Sequence, residues 1–473
     1  MPTPAGDLFF APAVDLAAQI RSGALSPVEL MRATLDRIEA INPQVNALVS
    51  LRPAEQLLAD AQSVADRLAR GEDVGPLAGL PLGVKDLEDT IGLPNTRGSL
   101  LFKDFYPQRD TVQVARLKRA GAIVVGKTNT PEFGYTAFTS NRVYGTTRNP
   151  WNLARTPGGS SGGSAAALAG GLLPLSTASD GGGSVRIPAS YTGLFGLKPT
   201  NGRIPWGPEE MLRGSATIVS GPLTRCVRDA ALWLDITAGA HAADPFSLPH
   251  PGYSYREILD RPPPRLRIAY NPTLGYARPE KQVRREVEAA LRALEGLGHH
   301  VEQVTGSIPD VVMDWVRLTA FEDLGVLAPY LHDESLLDPG VLPGLELGRQ
   351  VMAADMGQIQ RTRRQLIDEL EQLFARFDLL ATPTVATVAF AAEGPLPMEV
   401  EGQPVETPGG AIAFTYPFNF SCNPAVSLRA GLNDERLPVG LQLVAPRLRE
   451  DLLLQIAYEY EQARPWGNQW PQL

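Results

Sequence analysis

Two glycine- and serine-rich stretches carry the residues of this chain best suited to chemistry. The first, Arg155 to Gly170, contains Gly158-Gly159-Ser160-Ser161-Gly162, which fits the G-x-S-x-G pattern of a nucleophile elbow. The second, Thr177 to Ala189, places Gly181-Gly182-Gly183 directly before Ser184. Three glycines in a row let successive backbone N–H groups converge with no side chain in the way. Such an array can hold an oxyanion, and oxyanion stabilisation is often the largest single contribution to acyl transfer. The chemistry these residues suggest is serine attack on a carbonyl.

Competing readings of the glycines fail on context. A flexible linker should separate independent units, but Gly158 to Ser164 runs into Ala165-Ala166-Ala167-Leu168-Ala169, a strong helix former. Gly121 to Thr128 matches the P-loop pattern, which needs a phosphate-facing loop and then a helix. Its intervening Ala122-Ile123-Val124-Val125 favours a strand, and Asn129-Thr130-Pro131 opens no helix. The elbow reading needs a histidine downstream. His241, His250, His299, His300 and His332 all lie there, none in a distinctive setting. His299-His300 is expected to be a solvated pair. Asn152 to Pro157 also makes a poor strand before an elbow.

A lysine is the other base to weigh. Only six of the 43 basic residues are lysines. An exposed lysine, with a pKa near ~10.4, stays protonated at neutral pH. Burial lowers that value. Lys85 lies in the apolar run Leu80 to Leu87, with Asp86 opposing the shift, and Lys127 and Lys198 also follow apolar residues. The residues alone leave three candidates.

The elements that must position these groups alternate. Ser26-Pro27-Val28-Glu29 is a helix start, followed by Leu30, Met31, Thr34, Leu35, Ile38 and Ile41 near helical spacing. Ala54–Arg70, Val112–Ala120, Lys281–Leu297 and Glu450–Ala463 read as helices. Leu82–Asp86, Ala122–Val125, Leu266–Tyr270, Phe377–Ala381 and Val439–Val444 read as strands. This alternation predicts an α/β fold. Arg261-Pro262-Pro263-Pro264 fits an interdomain linker or a surface connection equally.

The chain has 473 residues, 44% of them hydrophobic, ample for a large core. A net charge of −9 argues against nucleic acid or an anionic membrane as partner. Cys226 and Cys422 form no disulfide framework, which suits a reducing compartment. The first ten residues lack a basic n-region, and no apolar run reaches membrane length. A cytoplasmic location is expected.

Taken together, the motifs resemble the amidase signature family. The two clusters carry the resemblance, with Gly196 to Thr200, Gly83 to Asp86, Gly126 to Asn129, Asn149 to Asn152 and Pro438 to Gln442. It spans nearly the whole chain. It implies one α/β domain over residues 1–473, with a mixed central β-sheet covered by helices on both faces. Residues 1–75 would form an N-terminal helical region, 76–225 the catalytic Gly/Ser-rich core and 308–356 a variable, helical pocket wall.

The resemblance also implies a Ser–cis-Ser–Lys triad. Ser184 would be the nucleophile, Ser160 the bridging serine after a cis bond from Gly159, and Lys85 the base. The N–H groups of Gly181, Gly182, Gly183 and Ser184 would form the oxyanion hole. Gly134, Tyr135 and Thr136 would line the acyl pocket. Many members read Thr-Asp-Thr-Gly-Gly-Ser where this chain has Ser179-Asp180-Gly181-Gly182-Gly183-Ser184. Gly181 is thus a departure that leaves the triad complete. No cofactor or metal is implied. Ser161 and Ser164 read as backbone-bonding turn residues, Asp180 and Arg186 as a structural ion pair, and Arg155 and Asn129 as structural.

The expected reaction is hydrolysis of amides, and of esters or carbamates (urethanes), through an acyl-enzyme. Small-molecule substrates are the expected partners, with a homodimer as the assembly to test. Arg449 to Ile456 and Pro465-Trp466 are similar to the branch with cyclic nylon-dimer hydrolase and urethane-cleaving amidases. The alternatives are a glutaminase subunit of a tRNA-dependent amidotransferase and an inactive binding protein. The glutaminase commonly reads Ile-Arg-Gln-Pro-Ala where this chain has Val185-Arg186-Ile187-Pro188-Ala189, which favours a stand-alone enzyme.

Overall fold

Ser26 and Glu29 start a helix where their order predicts one. Ser26 Oγ accepts from the Val28 N–H at 3.2 Å, and the Glu29 carboxylate accepts from the Ser26 N–H at 3.1 Å. This capping box opens the helix Pro27–Val45, which buries Leu30, Met31, Thr34, Ile38 and Ile41. The computed structural model describes residues 8–208, 216–405 and 409–473. Residues 1–7, on which the expectation about the n-region rests, lie outside them. Helices also occupy Ala54–Ala69, Val112–Arg119, Lys281–Gly296 and Glu450–Ala463, within a residue or so of expectation.

Eleven strands form one mixed sheet. In chain order they are β1 (Leu48–Leu51), β2 (Pro81–Lys85), β3 (Ile123–Thr128), β4 (Leu175–Ser176), β5 (Phe195–Lys198) and β6 (Leu223–Thr224), then β7 (Arg267–Tyr270), β8 (His300–Gln303), β9 (Leu379–Pro383), β10 (Ala425–Leu432) and β11 (Pro438–Val444). Across the sheet the order is β1-β3-β2-β4-β6-β5-β10-β11-β9-β7-β8. β2 runs parallel to both of its neighbours, while β5, β6, β10 and β11 pair antiparallel.

Alternating side chains feed two opposite cores, as the period-2 pleat demands. Val124, Ile268, Leu379 and Leu443 enter one core, with Leu232, Val287 and Leu453 from helices. Ile123 and Val125 face the other side with Ile38 and Leu57. Ala269, Leu380 and Val444 face it with Leu318 and Leu366. Helices therefore cover both faces.

Three details depart from or decide the sequence reading. The N-terminal region also contributes β1, an edge strand antiparallel to β3; the short apolar run Leu48-Val49-Ser50-Leu51, bounded by Asn46 and Pro53, suits it. The proline run at 262–264 leads into β7 of this same sheet, so it is a surface connection. His299 is not solvated. It is buried, accepts from the Leu266 N–H at 3.1 Å and lies 2.9 Å from Glu459; only His300 is exposed. Among the described residues no helix is long and apolar enough to cross a membrane.

Candidate active site

β2 is buried along its whole length and ends at Lys85. Its neighbours β3 and β4 shield it from both sides in the sheet. The strand therefore delivers a lysine into the interior. Ser160 and Ser161 reach the same point from the turn before the helix Gly162–Ala169. The first turn of that helix needs its glycines: a Cβ on Gly163 would stand 2.2 Å from the Asn129 nitrogen, and one on Gly162 2.2 Å from Thr139 Oγ1.

Lys85 Nζ donates to Ser160 Oγ at 2.8 Å, Ser161 Oγ at 2.8 Å and Ser179 Oγ at 3.0 Å. The Gly159–Ser160 peptide bond is cis. One lysine thus contacts both glycine–serine clusters. Burial lowers its pKa from the ordinary 10.5 to about 7; Glu88 and Asp180 pull it part of the way back. Burial therefore favours the neutral amine far more than at an exposed lysine.

The other two candidate lysines are equally buried but face elsewhere. Lys127 Nζ donates to the Glu88 carbonyl and lies 3.8 Å from Asp86. Burial lowers its pKa too, against the pull of Asp86. Lys198 Nζ donates to the Pro199 carbonyl at 2.9 Å, with burial lowering its pKa to about 8. Of the three, Lys85 is the one within hydrogen-bond reach of Ser160.

The second cluster is built around a buried ion pair. Asp180 Oδ1 lies 2.9 Å from Arg186 Nη2, and Oδ2 lies 3.0 Å from Nε. The remaining Arg186 donors go to the Thr415 carbonyl (2.8 Å), Gln442 Oε1 (2.8 Å) and Asn419 Oδ1 (2.6 Å). All five guanidinium donors are used. Burial works against the Asp180 charge, yet Arg186 and Asn419 hold its carboxyl well below the usual range. Asp180 also accepts from the N–H groups of Gly183 (2.8 Å), Val185 (3.2 Å) and Arg186 (3.4 Å). This folds the chain tightly around the carboxylate.

That fold sorts the four N–H groups allotted to an oxyanion hole. The Gly183 N–H points at Asp180 and is engaged there. Those of Gly181, Gly182 and Ser184 have no acceptor among the described residues. Ser184 is only half-buried, whereas Lys85, Ser161, Asp180 and Arg186 are sealed. A reactant can therefore approach Ser184.

Gly134 adopts a positive φ of 78°, and a Cβ there would lie 3.1 Å from Ser160 Oγ. The Thr136 carbonyl packs still more closely on Gly159, 2.7 Å from where a Cβ would stand. Tyr135 turns outward, its hydroxyl 3.3 Å from Asp338. Residues 312–327 and 342–350 are helical. Ser164 bonds the Thr177 carbonyl at 2.7 Å, Asn129 ties Gly145 and Thr147, and Arg155 pairs with Glu435 at 3.0 Å.

Several partners escape a reading of the sequence. Ser161 bonds Lys85 rather than only backbone, and Ser179 does the same. Thr415, Asn419 and Gln442 converge on Arg186 from far along the chain. Gln442 closes the Pro438 to Gln442 motif; nothing local marks Thr415 or Asn419.

The family model described as Amidase matches residues 29–454. An acylamidase of Rhodococcus erythropolis is 36% identical over 470 residues, covering 98% of each chain. One component of the glutamyl-tRNA(Gln) amidotransferase of Thermus thermophilus is 37% identical over 477 residues, covering 95% of this chain and 96% of that one. The structure of 6-aminohexanoate cyclic dimer hydrolase complexed with substrate superposes with a TM-score of 0.88 at 31% identity, covering 98% of this chain and 99% of the other.

Proposed function

The chain belongs to the amidase signature family of amide-bond hydrolases, and on that premise we propose that it works through a Ser184–Ser160–Lys85 triad as a stand-alone acylamidase. The observation that carries this reading is the placement of a sealed Lys85, with a pKa near 7, at 2.8 Å from Ser160 Oγ.

Neutral Lys85 accepts the Ser160 proton while Ser160 accepts that of Ser184. Ser184 Oγ attacks the substrate carbonyl, and the N–H groups of Gly181, Gly182 and Ser184 take the oxyanion. The relay then runs backwards and protonates the departing amine, which a poor leaving group requires. Water, deprotonated through the same chain, cleaves the acyl-enzyme and restores Ser184.

The substrate is a small-molecule amide, with esters and carbamates as further acyl donors for the same nucleophile. Ile187 supports a stand-alone enzyme over a glutaminase subunit. Its side chain is packed in an apolar cluster with Ala137, Tyr191 and Phe390, where a glutamine amide would lack partners. Strands from residues 48 to 444 share one sheet, so we read residues 1–473 as one domain. The two free cysteines suit a cytoplasmic setting.

Hydrolysis of 4-nitroacetanilide by the purified chain and by Ser184→Ala tests the reading. It stands if the wild type releases 4-nitroaniline and the variant does not. It falls if Ser184→Ala keeps the wild-type rate.

A further inference from the structure

Trp315 lies far from both clusters in sequence, in the helix Val312–Leu327, yet it rests on the glycine loop. Its indole N–H donates to the Gly181 carbonyl at 3.0 Å. A Cβ on Gly182 would come within 2.3 Å of the indole Cζ2, so only glycine lets the ring this close. The ring stacks on Tyr416 with centroids 5.6 Å apart and planes 18° from parallel. The Tyr416 hydroxyl in turn bonds Asp310 at 3.1 Å, just before the same helix. The indole is therefore held by stacking as well as by its own hydrogen bond.

The Gly181–Gly182 peptide is trans. In a trans peptide the C=O and the following N–H point in opposite directions on a rigid plane. A donor that grips the Gly181 carbonyl therefore sets the direction of the Gly182 N–H. The next peptide shows the same device completed. Thr415 Oγ1 donates to the Gly182 carbonyl at 2.6 Å, and the Gly183 N–H on the opposite side bonds Asp180. The Gly182 N–H has no acceptor among the described residues. Three glycines carry no Cβ to hold the loop in one conformation, so an outside grip is what fixes this donor.

We infer that Trp315 is a positioning residue for catalysis: its indole N–H, by holding the Gly181 carbonyl, aims the Gly182 N–H at the transition-state oxyanion. The inference rests on the proposed function above. It places the control of the oxyanion donor in the segment 308–356, the part of the chain expected to form the pocket wall.

The test compares wild type, Trp315→Phe and Trp315→His on 4-nitroacetanilide and 4-nitrobutyranilide. Trp315→Phe keeps a ring and loses the donor; Trp315→His returns an N–H. Deleting an oxyanion donor costs roughly 10²–10³-fold in kcat. Loosening one is expected to cost Trp315→Phe about 10-fold or more in kcat with KM within about twofold, since the interaction is made in the transition state. The factor should be the same for both substrates. Affinity for phenylboronic acid, which forms a tetrahedral adduct on serine, should fall in parallel, and Trp315→His should recover part of the loss. Unchanged kcat in Trp315→Phe overturns the inference. So does a change confined to KM that grows with acyl size, because the ring is then only a substrate wall. Equal losses in Phe and His variants overturn it as well, because the N–H then has no role. Ser184→Ala separates the two claims: its full activity sinks the proposed function, whereas an inactive Ser184→Ala beside an unaffected Trp315→Phe sinks only this inference.

Discussion

Lys85 Nζ and Ser160 Oγ lie 2.8 Å apart inside a region closed to solvent. The pairing joins a strand end to a glycine turn 75 residues further along the chain. Neither partner is a conventional base by type. Burial removes the water that would stabilise the lysine's charge, which is what the proposed base role requires.

The pH dependence follows from that burial. The folded pKa of Lys85 is depressed to about 7, so the neutral, proton-accepting form grows as pH rises through that value. The kcat/KM of hydrolysis should climb with unit slope below about pH 7 and level off above it. Lys85→Ala should abolish the rate, whereas Lys127→Ala should lose stability, because buried Asp86 loses its partner at 3.8 Å, yet keep activity with the same pH midpoint in the folded fraction. A pH–rate profile of each checks this. A profile that falls with rising pH across that range would exclude a lysine base.

Ser179 should tune that midpoint. Its hydroxyl accepts from Lys85 at 3.0 Å, and an acceptor favours the protonated amine. Ser179→Ala removes it and disfavours the charge, so the midpoint should move to lower pH. A hydrogen bond to a charged group is worth about 1.5–3 kcal/mol, which corresponds to roughly one to two pH units. An upward shift would show that Ser179 does not act as an acceptor for Lys85.

Asp180→Asn should damage the protein more than an exposed pair would. Both Asp180 and Arg186 are completely buried. Removing one partner of such a pair leaves an uncompensated charge and costs about 3–5 kcal/mol. The loop also loses the anion that organises the Gly183, Val185 and Arg186 N–H groups. Denaturant unfolding should show the loss of stability, and activity should fall with it. Wild-type stability in the variant would mean the pair is not the loop's organiser.

Much of this site is legible in the sequence. The capping box at Ser26, the strand at Pro81–Lys85 and the helix after Ser161 are local, and their patterns suffice. The proposed triad residues are legible only through resemblance, because three lysines share an apolar context and only the fold aims one at a serine. Ser161 reads as a turn residue because spacing does not reveal which of two adjacent serines faces inward. His299 reads as solvated because its partner, Glu459, lies 160 residues away. Trp315, Thr415 and Asn419 have no local signature at all; their roles arise from long-range packing against the glycine loop.

The central claim is that Ser184, not Ser160, is the nucleophile, and site-mapped covalent labelling tests it most directly. A serine-directed fluorophosphonate is reacted with the enzyme and the adduct located by fragment spectra. Arg155 and Arg186 bound one tryptic peptide with no internal Lys or Arg, so both serines lie in it and fragmentation must separate them. One stoichiometric adduct is expected, on Ser184, with labelling lost in Lys85→Ala. An adduct on Ser160 would contradict the assignment.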